Sequence, residues 1–367
     1  MRINCLALAA SIALAGCKDS TGTVTPGATR ILVLNTFGQT GVTKLSVDAL
    51  APTHIDFGSA FDGATFTAAN DSVLSASSSF SGDQLYIADL NTQTLNKYQL
   101  PAGSNPAGAA FVPNGIPGAT NGRYIAALRN SGKLAQVKVQ TGAAAVVTSI
   151  AGAGLCPTDV AFYNGSAWVS DANQRCASDF AVQGPGRILR VSLADATRDT
   201  ILLGAAAVAP QRIIIVEQFA YVLSSGDFFS VSGAVAKANV ATKQALSIVS
   251  LPTGVYGVTM TKGEDGLLYV SGAPNPPVGG LYSPRVYVID PTTMTTVPPY
   301  SGTDHFRPLA KQDGTLARCS AATADATGRI YCVENGLTTS TLLLFTSSGT
   351  FISSAPSGTI ASDIALR

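Results

Sequence analysis

One short motif recurs along this chain: an apolar, strand-like run with an aromatic residue in second place. It appears as Leu85-Tyr86-Ile87-Ala88-Asp89, Arg123-Tyr124-Ile125-Ala126, Ala167-Trp168-Val169-Ser170-Asp171, Ala220-Tyr221-Val222-Leu223, Leu268-Tyr269-Val270-Ser271 and Ile330-Tyr331-Cys332-Val333-Glu334. Ile31-Leu32-Val33-Leu34-Asn35 is a further copy, with Leu32 in the aromatic place. Alternating aromatic and β-branched residues suit a strand packed against another sheet. The aromatics therefore read as packing between repeats rather than as a cofactor box. The repeat also accounts for the length. A chain of 367 residues exceeds the usual single domain of ~100–200, but repeat folds grow because each unit buries its apolar face against its neighbours.

A second apolar strand follows each copy, at residues 42–47, 95–100, 134–139, 188–193, 235–240, 286–290 and 342–346. A third segment precedes six of the aromatic strands, at 71–76, 106–112, 157–163, 210–216, 255–261 and 319–325. Asn164-Gly165 between two of these segments is a strong hairpin signal. The count leaves two remainders: the strand at Ile31 has no inner strand before it, and residues 361–366 have no outer strands after them. Each completes the other. The expected fold is an all-β, seven-bladed β-propeller whose ring closes when the C-terminal strand joins the N-terminal blade, which removes two exposed sheet edges.

The order of segments resembles propellers of the YVTN-repeat and lactonase-like type. Their blades run from a Pro-x-Gly inner strand to Leu-Tyr-Val-x-Asp and then to an apolar strand ending near Asp. Asn105-Pro106-Ala107-Gly108, Leu85-Tyr86-Ile87-Ala88-Asp89 and Arg285-Val286-Tyr287-Val288-Ile289-Asp290 carry the likeness, which covers about residues 29–367. It implies an architecture, and one fold hosts many functions. It also implies an alternative activity, a metal-dependent hydrolase resembling gluconolactonases, in which carboxylates and amides at one end of the channel hold a hard cation such as calcium. Aligned on the aromatics, the matching positions are Asp363, Ser72, Gly108, Asp159, Arg212, Gly257 and Ala322 in ring order. The Glu–Asn–Asp ligand set of those enzymes has no residue-by-residue counterpart here. Arg212 beside Asp159 reads instead as an ion pair at the channel mouth, with Asp363 as the third charge.

The N-terminus carries a separate signal. Arg2 precedes an apolar stretch, residues 5–15, too short for the ~20 residues a membrane span needs. Leu14-Ala15-Gly16-Cys17 resembles the lipobox of bacterial lipoproteins, whose Cys is lipidated and becomes the mature N-terminus. The resemblance implies a signal peptide at 1–16, acyl chains on Cys17 that anchor the protein to a membrane, and a polar tether at 17–28 before a propeller at 29–367. Lys18 stands where an inner-membrane retention Asp would stand, so the expected place is the cell envelope, at the outer membrane or surface.

Charge excludes one class of partner. With Arg2 removed, the 23 basic and 22 acidic residues of the chain balance. No basic run supports nucleic-acid binding. Export permits disulfides. Cys156 and Cys176 lie on the same rim of the ring, so a bridge between them would staple the loop after Asp171. Cys319 with Cys332 follows by elimination, although hairpin register places them ~13 Å apart at ~3.3 Å per residue. Without a C-x-x-C pair, and with His54 and His305 as the 2 histidines, no zinc pattern exists. Nor is there a G-x-S-x-G or a P-loop.

Loop lengths point to function. Long loops follow three successive aromatic strands, at 171–187, 224–233 and 272–284, beside a long loop at 298–318. They carry Phe180, Phe228, Phe229, Tyr282, Tyr300, His305, Phe306 and Arg307. Long loops on a rigid scaffold concentrate binding residues, and aromatics and Arg are common anchors. The expectation is a non-catalytic, monomeric envelope propeller that needs no cofactor or metal. It would bind a protein, a glycan or a small ligand on this rim, with the calcium-dependent hydrolase as the alternative.

Overall fold

The computed structural model describes residues 30–367 except 48, 59–60, 64, 70, 78–81, 113–120, 141–143, 228–229 and 275–282. Cys17, the tether, Phe228, Phe229 and Tyr282 lie outside the described residues. Within them the chain forms seven four-stranded antiparallel sheets and no helix, a seven-bladed propeller. The inner strands, in ring order from blade 1, are Ile360–Leu366, Phe66–Ala69, Pro106–Phe111, Pro157–Tyr163, Pro210–Val216, Val255–Lys262 and Cys319–Ala324.

Blade 1 joins the two ends of the chain. Ile360–Leu366 pairs with Arg30–Phe37 in the register Ile31↔Leu366, Leu32↔Ala365, Val33↔Ile364 and Leu34↔Asp363. Arg367 N donates to Arg30 O at 2.7 Å, and Arg367 Nε reaches Ala68 O of blade 2 at 3.0 Å. Closure therefore ties the last residue to two blades.

The core is divided among the interblade gaps. Each gap holds a cluster of buried side chains drawn from both neighbouring sheets. Leu32, Trp168, Tyr221, Tyr269 and Tyr331 face the next blade, as an equivalent repeat requires. Tyr86 and Tyr124 face the preceding one. In blade 2 the motif stands on the third strand, because Phe66–Ala69 supplies the inner strand and the segment at 71–76 becomes the second. In blade 3 the register runs one residue out of step, and Ile125 takes the forward face. A one-residue slip exchanges the two faces of a strand.

Candidate functional site

Six inner strands break register near their start. The breaks fall between Pro106 and Ala109, Pro157 and Asp159, Pro210 and Arg212, Gly257 and Thr259, and Cys319 and Ala321. In blade 1 the partner residues jump from Ala361 to Asp363. A β-bulge leaves a residue outside the ladder and re-aims its side chain. Four of these residues, Ala107, Thr158, Gln211 and Val258, line a cavity of about 270 Å³ at the channel mouth. The register also corrects the expected ring of channel positions. Thr259 and Ala321, not Gly257 and Ala322, are equivalent to Asp159, and Ser72 is not on an inner strand.

Beneath the cavity three charges meet. Arg212 of blade 5 places Nη2 3.1 Å from Asp363 Oδ2 of blade 1, and Nε 3.7 Å from Asp159 Oδ2 of blade 4. Its Nη2 also donates to Phe66 O of blade 2 at 3.2 Å. Each carboxylate accepts two backbone N–H groups, one from its own strand and one from the next blade. Asp159 takes Val160 N at 2.9 Å and Ile213 N at 3.0 Å. Asp363 takes Ile364 N at 2.9 Å and Phe66 N at 3.2 Å. Gly108 is glycine for this reason: a Cβ there would stand 2.0 Å from Asp159 Oδ1.

Burial pushes the Asp159 carboxyl up to about 6, against the pull of Arg212 and the two N–H donors. Burial raises Asp363 as well, again against Arg212. The guanidinium of Arg212 is also penalised by burial, but Asp363 and Asp159 outweigh that and hold it above its ordinary value. The expected ion pair is thus a triad that crosses the channel. Its cation lies within 4 Å of both carboxylates. Among the described residues no group of three or more His, Cys, Asp or Glu could hold a metal.

The wall of the cavity is a stapled loop. A disulfide joins Cys156, just before an inner strand, to Cys176. Asp171 accepts Cys156 N at 2.7 Å and pairs with Arg187 at 2.6 Å, closing the loop's base. At its tip Phe180 has φ 56°, and its N–H donates to Arg175 O at 3.1 Å. That conformation leaves the ring 59% exposed over the cavity lip. A second disulfide joins Cys319 and Cys332, whose Cα atoms are 5.3 Å apart rather than the ~13 Å that an unbroken hairpin at ~3.3 Å per residue implies. The bulge explains the difference: Cys319 pairs opposite Glu334, two residues from Cys332, on a strand that the break bends.

The other described rim residues do not converge on the cavity. Arg307 is a correction. It is buried, and its guanidinium donates to Ser347 O, Val297 O and Pro298 O at 3.0–3.1 Å, where the loop leaves carbonyls without strand partners. Phe306 packs on the cluster between blades 5 and 6 under Arg285. Tyr300 is exposed but stacks on His305, with ring centres 4.5 Å apart, and His305 Nδ1 meets Thr296 Oγ1 at 3.1 Å. His54 lies on the outer strand Pro52–Asp56, bonded to Thr43 and Thr40, with its pKa lowered by burial. Sequence reasoning missed Arg129, Gln174 and Gln211, which line the cavity with Arg212 and Phe180. Gln211 stands next to Arg212 and Gln174 lies in the long loop at 171–187, so those two carried a signal, whereas Arg129 carried none.

The fold and this mouth define a seven-bladed propeller with a small cavity over a charge-plugged channel. No known protein family's sequence profile matches the chain, and no curated protein matches it. Solved structures share the fold at low identity. A protein from Lactobacillus plantarum is 14% identical, covers 92% of this chain and 99% of its own, and has a TM-score of 0.61. The periplasmic gluconolactonase of Pseudomonas aeruginosa is 13% identical over 92% of this chain and 99% of its own, at 0.57. The hydrazine synthase of Kuenenia stuttgartiensis is 13% identical over 80% and 85%, at 0.59.

Proposed function

We propose that this chain is a non-catalytic binding propeller of the cell envelope, held to a membrane through acyl chains on Cys17, that takes its ligand at the loop-rich mouth of the channel. One observation carries the reading. The cavity of about 270 Å³ is built from rim and bulge residues, with no carboxylate and no histidine among the described residues of its lining, while the nearby carboxylates are committed to Arg212. Such a lining offers hydrogen-bond donors, amides and an aromatic lip, which serve recognition. It offers neither a base nor a set of oxygen ligands for calcium. The size, just below the ~300–1,000 Å³ of common ligand sites, suits a small molecule or the end of a larger one.

The test uses the full-length protein in detergent. Neutral oligosaccharides, amino acids, sugar acids and simple organic acids are titrated calorimetrically, beside a calcium titration and a lactone-hydrolysis assay. Binding by at least one class, lost when Gln211→Trp fills the cavity, and without turnover, is the expected result. Calcium-dependent lactone hydrolysis would replace this reading with the hydrolase.

A further inference from the structure

We infer that the channel-mouth cavity is a carboxylate-binding site whose anchoring cation is Arg129, and that its ligand is a small organic acid with a ring or apolar portion. This deepens the binding reading and rests on it. Arg129 directly follows the second strand of blade 3, Asn121–Leu128, and is fixed there by its N–H bond to Asn105 O at 3.2 Å. Its side chain lines the cavity. Burial lowers its pKa with no opposing acidic group nearby, and its Nε is buried without a hydrogen-bond partner among the described residues.

Two other arginines with buried guanidinium atoms find partners. Arg212 is neutralised by Asp159 and Asp363, and Arg307 is spent on three carbonyls. Arg129 has neither compensation. A desolvated cation without a counter-charge is costly, and a planar guanidinium matches a carboxylate through paired N–H donors. An anionic ligand would supply the missing partner. The remaining lining narrows the class. Gln174, Gln211 and Thr158 provide neutral polar contacts, and Phe180 stands at the lip with an exposed ring. Together they fit a carboxylate directed at Arg129 with a flat or apolar remainder under Phe180.

The experiment compares benzoate with benzamide, its uncharged isostere, by calorimetry on the full-length protein in detergent. Benzoate should bind at least about tenfold more tightly, since charge-assisted, bidentate hydrogen bonds are roughly twice as strong as neutral ones. Arg129→Met should abolish that preference, whereas Phe180→Ala should weaken both probes. Arg129→Met should also raise the melting temperature of the unliganded protein, because it removes a half-buried cation that lacks a counter-charge among the described residues. Folding of each variant is checked by circular dichroism. Equal affinity for the two probes, or benzoate binding that survives Arg129→Met, would overturn this inference. If neutral sugars bind in the cavity and carboxylates do not, the charge assignment fails while the binding reading stands. If no class binds, both fail.

Discussion

The triad beneath the cavity makes a quantitative prediction for Arg212→Met. Methionine keeps the length and removes the charge, leaving Asp159 and Asp363 buried together, with side chains 5% and 1% exposed. Breaking a buried ion pair from one side typically costs about 3–5 kcal/mol. Protonation caps the loss. At pH 7, holding neutral a carboxyl whose ordinary value is 3.8 costs roughly 4 kcal/mol at ~1.36 kcal/mol per pH unit. Asp159, already pushed up to about 6, bears roughly 3 kcal/mol of that in the wild type by the same conversion, so it adds only about 1 more. The rest comes from Asp363, whose carboxyl burial also raises and which loses its counter-charge, and from the Phe66 carbonyl that loses its donor. The expected total is ~3–4 kcal/mol at pH 7. A ring of this size, at ~2.1 cal/mol/K of unfolding entropy per residue, converts that to a fall of about 5 °C in Tm. At pH 4 Asp159, raised to about 6, is protonated in both proteins, and Asp363 is raised in the same direction, so the difference should shrink toward ~1 kcal/mol, the cost of the orphaned carbonyl. Denaturant unfolding at both pH values measures this. A loss that is the same at pH 4 and pH 7, or absent at pH 7, would refute the charge-burial reasoning.

Three further outcomes are expected. Asp159 has a folded pKa raised from 3.8 to about 6, so the folded state binds its proton more tightly, and its contribution is present below pH 4 and lost as pH rises through 6. Asp159→Asn should therefore remove a decline in stability of up to ~3 kcal/mol between pH 4 and pH 6; parallel pH profiles for wild type and variant would show that the carboxyl is not the titrating group. Deleting residues 360–367 strips blade 1 of Ala361, Ile364 and Leu366, which are buried in the cluster between blades 7 and 1. At ~1.5–3 kcal/mol per large buried side chain, aggregation or a collapse of Tm should follow in light scattering and calorimetry, and an unchanged monomer would contradict the closure. Cys17→Ser in the native host should accumulate a larger, non-acylated precursor on gels, and normal processing of that variant would end the lipoprotein proposal.

Much of the architecture was legible because strand signals are short-ranged. Apolar alternation, aromatic second places and Asn164-Gly165 are properties of adjacent residues, and the unpaired segments at the two ends implied closure without any long-range information. The candidate site was legible only in part. Asp159, Arg212 and Asp363 stood out because they replaced small residues in the repeat, and Cys156 with Cys176 because they flanked one rim. Arg129 gave no signal: an arginine after a strand usually points to solvent, and nothing local distinguishes one that turns into a channel. Arg307 misled for the converse reason, since its partners are carbonyls up to 40 residues away.

By itself, then, the sequence determined the number of blades, the order of strands in six of them and the way the ring closes; blade 2, whose inner strand is Phe66–Ala69, is the exception. Tertiary structure alone decided which face each strand presents. Tyr86 and Tyr124 look backward because a local slip in strand count or register exchanges buried faces, and that slip is settled by the neighbouring sheet. It also decided that Arg212 pairs with Asp363 of blade 1 as well as with Asp159 of blade 4, and that Arg129 meets no counter-charge among the described residues. Those facts arise where inner strands from different blades converge on one axis, and no pattern confined to a single blade encodes them.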